Sequence, residues 1–122
     1  MALAVTAALG IASASAEVVA IAWDTSGTFQ RALAIGPGKF AEVCGTLTQG
    51  QSVAWAFTSD APLNFNIHYH QGSSVVYPDR QDQVASLEGK LVAPTGQDYC
   101  WMWENKSTAK DTLSVVLRRQ RD

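Results

Sequence analysis

Short apolar runs alternate along the chain with turn residues, and after Glu17 no long segment carries a helical period. "VVAIAW" (Val18 to Trp23) ends at "DTSG", and "FQRALAI" (Phe29 to Ile35) ends at the Gly-Pro-Gly turn of "GPGK". "FAEVCGTL" and "SVAWAFTS" follow, and the second places Val53, Trp55 and Phe57 on one face with Ala54 and Ala56 on the other. After a "DAP" turn, "LNFNIHYH" alternates strictly. Leu63, Phe65, Ile67 and Tyr69 share one face; Asn64, Asn66, His68 and His70 share the other, because successive side chains of a strand point to opposite sides. "SSVVYP" reads as a strand stopped by Pro78, and the polar "DRQDQVASLEGKLVAP" as a loop or one helical turn. "DYCWMWEN" is apolar on both faces, and "TLSVVLRR" closes the series. Eight or nine short strands at this spacing predict an all-β sandwich or barrel. The absence of a βαβ rhythm argues against a parallel α/β sheet.

Composition supports a folded domain. The chain has 122 residues, 47% hydrophobic and 16% charged, which fits one domain with a core and not a disordered segment. A net charge of -2 gives little phosphate neutralisation, so nucleic acid is not an expected partner. The basic cluster "LRRQRD", with Arg118, Arg119 and Arg121, reads as a solvated tail.

The N-terminus changes the picture more. "MALAVTAALGIASASA" has no charged residue through Ala16, grows small, and ends Ala14-Ser15-Ala16. That is an apolar h-region followed by an A-x-A cleavage site, although no basic n-region precedes it. The run is shorter than the roughly 20 apolar residues of a spanning helix. Residues 1–16 are thus expected to be a signal peptide and residues 17–122 the mature domain, periplasmic or secreted and without a transmembrane segment. The two cysteines, Cys44 and Cys100, agree with export. An even count in an exported chain reads as one disulfide, whereas a cytosolic chain would carry two buried thiols.

Three stretches together resemble the GOLD domain, the β-sandwich of p24 cargo receptors and some Sec14-like lipid-transfer proteins. The late signature of that family is matched by Gly96, Tyr99, Trp101, Trp103, Asn105 and Ser107, and an earlier apolar strand by Val53, Trp55 and Phe57. The resemblance spans roughly Cys44 to Leu117. It implies an antiparallel β-sandwich of jelly-roll type with about eight strands, and a general role in binding proteins or lipids. The second cysteine of p24 proteins falls where Met102 stands here; Cys100 has the same strand parity, so a bridge from Cys44 reaches the same face.

Candidate chemistry is confined to few residues. His68 and His70 are the only histidines, on one face of one strand. Such a pair can hold Zn²⁺ or copper if a third donor stands near, and Met102 or Glu104 is the expected donor. A solvent-facing structural histidine is the commoner case. The GOLD resemblance implies that Trp101 and Trp103 lie in the core; facing outward, they and Asn66 would form a platform for a flat ligand. Asn105-Lys106-Ser107 is an N-x-S sequon, read here as a turn ending its strand. No G-x-S-x-G elbow is present, and acid–base catalysis by either histidine has no motif behind it. The expectation is a non-enzymatic extracytoplasmic binding module. The alternative is a periplasmic copper- or zinc-binding protein.

Overall fold

The computed structural model describes residues 17–120; the expected signal peptide, residues 1–16, lies outside the described residues. Seven strands follow in order: β1 (Glu17–Ala20), β2 (Thr28–Ile35), β3 (Phe40–Leu47), β4 (Ser52–Gln71), β5 (Ser74–Val92), β6 (Gln97–Glu104) and β7 (Asp111–Arg119). They form one sheet in the order β1-β3-β6-β4-β7-β2, with β5 paired alongside β4. All pairings are antiparallel except β1 with β3, which is parallel.

The sheet curls because β4 serves two neighbours in turn. Val53 to Ser59 pair with β7, and Asn64 to His68 pair with β6. Between these stretches the β4–β5 register slips, between Thr58 and Leu63 and again between Leu63 and Phe65. The first sets residues 59–62 against Ala85 alone, and the second sets Asp82 and Gln83 against Asn64, a β-bulge of the kind that bends a strand and increases its twist. At the second, Gln83 takes φ 56°, and its backbone N–H and side-chain amide both donate to Asn64 Oδ1, at 3.0 and 2.9 Å. The bend turns the inner faces of the two halves toward one another. Trp55 from the first half lies 4.9 Å, centroid to centroid, from Phe65 of the second, and Phe57 lies 5.6 Å from Trp103. Tyr99, Trp101, Trp103, Leu63, Phe65 and Ile67 fill the enclosed core.

The architecture is all-β, as expected, but it is a curled mixed sheet resembling a half-barrel, and not clearly the antiparallel jelly-roll sandwich of about eight strands. Two expected breaks are continuous strand. "SVAWAFTS" and "LNFNIHYH" are one 20-residue strand, and Pro62 is tolerated because its missing N–H falls between the β7 and β6 pairings. "SSVVYP" and the polar stretch after it are one 19-residue strand. Pro78 sits there on an edge, at a slip between the Tyr69–Val76 and Ile67–Asp79 pairs, the setting in which a strand accepts proline. The polar sequence of β5 follows from its position, since nearly all of it is exposed. Arg118 and Arg119, expected in a tail, belong to β7. No helix long and apolar enough to cross a membrane occurs among the described residues.

Candidate functional site

The outward face of β1, β3, β6 and β4 is laid out by register. One row across the sheet runs Ala20, Cys44, Cys100, His68; the next runs Val18, Glu42, Met102, Asn66; a third runs Phe40, Glu104, Asn64. Cys44 and Cys100 face one another directly across β3 and β6 and form a disulfide. This bridge floors an open trough of about 690 Å³, with Val18 and Ile21 along one side and His68 and His70 along the other.

His68 is held in a defined orientation. The residue is 7% exposed, and Nδ1 lies 2.7 Å from Asn66 Oδ1. A carbonyl oxygen only accepts, so Nδ1 carries the proton and Nε2 the lone pair. Nε2 faces Glu42 Oε1 at 3.6 Å, beyond hydrogen-bond length. Burial lowers the His68 pKa below its ordinary value, and the nearby His70 lowers it further. Burial also raises the Glu42 carboxyl, an effect that His70 opposes. The close contact of these oppositely signed residue types is therefore not a strong ion pair, because each is displaced toward its neutral form. Nε2 and Oε1 thus face each other without a hydrogen bond between them.

His70 is exposed and stands beside His68: its ring centre is 5.4 Å from that of His68 at an interplanar angle of 88°. Across the strand pair, Tyr77 lies 6.1 Å from His68 and carries Arg80 over its own ring at 4.8 Å.

The sequence-derived candidates separate here. His68 and His70 stand together with Asn66 beside them. Met102 lies in the adjacent row, between Glu42 and Asn66. Glu104 is a further row away and contacts Lys106 at 3.8 Å. Trp101 and Trp103 are fully buried on the opposite face of β6, so neither ring offers a platform to a ligand, and Asn66 stands apart from both. Glu42 is the carboxylate that meets His68, and sequence reasoning missed it. Its signal was parity: Glu42 shares a strand face with Cys44, so a Cys44–Cys100 bridge brings it to the face of Cys100 and His68.

No protein-family model matches the sequence, and no curated protein matches it at the sequence level. Similarity appears in solved structures. PliG of Aeromonas hydrophila, a periplasmic lysozyme inhibitor of g-type lysozyme, superposes with a TM-score of 0.69 at 13% identity, covering 87% of this chain and 98% of that one. PliG of Salmonella Typhimurium gives 0.65 at 14% identity, over 85% of this chain and 98% of that one. CorA, a surface-associated copper-binding protein of Methylomicrobium album BG8, gives 0.57 at 8% identity, over 87% and 100%. At these identities the likeness is one of fold. It overturns the GOLD resemblance, since the fold shared is that of PliG-type inhibitors and not of GOLD domains. The signature that suggested GOLD reports something more general. Tyr99, Trp101 and Trp103 alternate into a core, and Asn105 ends the strand, as in many β folds.

Proposed function

We propose that this protein is a non-enzymatic extracytoplasmic binding module that engages a protein partner, with a g-type lysozyme as the first partner to test. The observation that carries the reading is the full-length fold match to PliG, where nearly all of the inhibitor's chain is covered by this one. Two features of the chain itself support it. The apolar stretch ending in Ala14-Ser15-Ala16 suits export, and the Cys44–Cys100 bridge suits an oxidising compartment. The β4–β5 hairpin supplies a surface of the kind that protein contacts use, with Val75 and Tyr77 exposed near its tip and Arg80 stacked on Tyr77.

The test is a cell-wall lysis assay with purified g-type lysozyme and increasing amounts of this protein. Inhibition that saturates near one equivalent, and that weakens in Tyr77→Ala, is the expected result. Unchanged lysis in large excess, with no complex on size-exclusion chromatography, would remove lysozyme as the partner.

A further inference from the structure

We propose that Glu42, His68 and His70 form a binding site for a divalent transition metal, Zn²⁺ or Cu²⁺, at the rim of the trough above the Cys44–Cys100 disulfide. The inference is independent of any protein partner and rests on four features of the site.

The first is the unresolved confrontation of Nε2 of His68 with Oε1 of Glu42. They face one another at 3.6 Å, too far for a hydrogen bond and close enough to ligate one ion. The second is spacing. Two ligand atoms each about 2.1 Å from one tetrahedral zinc stand about 3.4 Å apart, and the observed separation is 3.6 Å. Two imidazoles sharing such an ion place their ring centres roughly 5 Å apart, and those of His68 and His70 are 5.4 Å apart. The third is orientation. Metal-binding histidines usually give their second N–H to a carbonyl or carboxylate, which fixes the tautomer and turns the other nitrogen to the metal. Asn66 Oδ1 fills that role for His68. The fourth is rigidity: β3 and β4, which carry the donors, are tied to β6 between them, β3 covalently through the disulfide.

The donor set defines the ion. Two imidazoles and a carboxylate suit Zn²⁺ and Cu²⁺, and leave a coordination position open toward the solvent-filled trough. Cys100 Sγ lies within 4.8 Å of the Glu42 and His68 donors, but in a disulfide it has no thiolate to offer. Among the described residues, Glu42, His68 and Cys100 are the group of such side chains that converges this closely; His70 stands outside it, and its exposed ring has to turn toward the other two donors to join them. Glu104, expected from the sequence as a third donor, contacts Lys106 instead.

The experiment uses the untagged, disulfide-bonded protein in equilibrium dialysis against ZnCl₂ or CuSO₄, with bound metal measured by elemental analysis. One equivalent is expected with at least one of the two ions. His70→Ala, at an exposed position that does not threaten folding, and Glu42→Gln should each weaken binding about tenfold or more, while Glu104→Gln leaves it unchanged. Melting temperatures of the metal-free variants identify any that fail to fold. Absence of bound metal in the wild type would overturn the proposal. So would equal affinity in wild type, Glu42→Gln and His70→Ala. Lysozyme inhibition with and without metal is scored separately, so either reading can fail without the other.

Discussion

At the scale of single residues, Asn105 shows how much one side chain can organise. It is 1% exposed. Its Nδ2 donates to the carbonyls of Ile35 and Ala109 at 2.9 and 2.8 Å, and its Oδ1 accepts from the backbone N–H and hydroxyl of Ser107 at 2.9 and 2.8 Å. The residue therefore ties the β6–β7 turn to the end of β2, and its backbone is bonded in addition to Lys39 and Gly38. Truncation strands several of these groups away from water, at about 1–3 kcal/mol for each buried group left unpaired. Asn105→Ala is expected to lower the free energy of unfolding by about 3 kcal/mol in urea titrations. A loss below about 1 kcal/mol would mean that water takes over these bonds. The same burial makes the sequon around Asn105 a turn device, as its position after "DYCWMWE" suggested. The histidines give the converse lesson. Alternation along "FNIHYH" was enough to put His68 and His70 on one face, yet the carboxylate facing His68 comes from a residue 26 positions earlier in the chain.

At the scale of elements, β4 and β5 dominate. They form a long hairpin that bends at bulges and supplies one wall to each half of the curl. Packing within it is tight at one point. Gly89 of β5 sits opposite Trp55 of β4, and a methyl group at Gly89 would fall 2.7 Å from Cζ2 of the indole. Trp55 is core, so its ring cannot swing into solvent without loss of burial. Gly89→Ala is expected to cost about 2 kcal/mol by overpacking. Trp55→Phe should cost less in that background than in the wild type, a coupling that a double-mutant cycle measures. Additive effects would place the strain elsewhere. The outer edge of β5 is long and exposed, and a bare edge invites pairing with other chains. Pro78, Asp79, Arg80, Asp82, Glu88 and Lys90, together with the left-handed Gln83, interrupt it. This is why the stretch looked like a loop in sequence: a strand that guards an edge needs polar and strand-breaking residues, and its apolar alternation is weak.

At the scale of the whole molecule, the disulfide is the long-range covalent constraint. It closes 56 residues of sequence and spans β3 and β6, so the whole β4–β5 hairpin lies inside the loop it makes. In the chain-entropy model a loop of this size stabilises the fold by about 4 kcal/mol. Cys44→Ser/Cys100→Ser should lose close to that amount in chemical denaturation, and reduction of the wild type should reproduce it. A double variant as stable as the wild type would show that the core suffices alone. Intact-mass measurement with a two-dalton gain on reduction checks the bridge itself.

Much was legible in the order of residues because alternation is local. The faces of "SVAWAFTS" and "LNFNIHYH", the all-β class and the core places of Trp55, Phe57 and Phe65 follow from a period of two, which each segment carries by itself; "DYCWMWEN", apolar on both faces, does not choose its buried side that way. What lies beside a strand is not local. Whether Ala61-Pro62 turns the chain or bends it depends on β7 ending its pairing at Ser59 and β6 beginning at Asn64. Whether the sheet is a flat-layered sandwich or a curl depends on the register slip between Thr58 and Leu63 and the bulge opposite Asn64. The meeting of Glu42 with His68 depends on β6 lying between their strands, with Cys100 in the row of His68 and Met102 in the row of Glu42. The sequence alone thus determined the dry side of the strands that alternate cleanly, such as Val53–Phe57 and Leu63–Tyr69, and left that of Tyr99–Glu104 open. Only the tertiary structure decided which strands became neighbours, because that choice is made by the burial and hydrogen bonding of all seven strands at once, and no single segment encodes it.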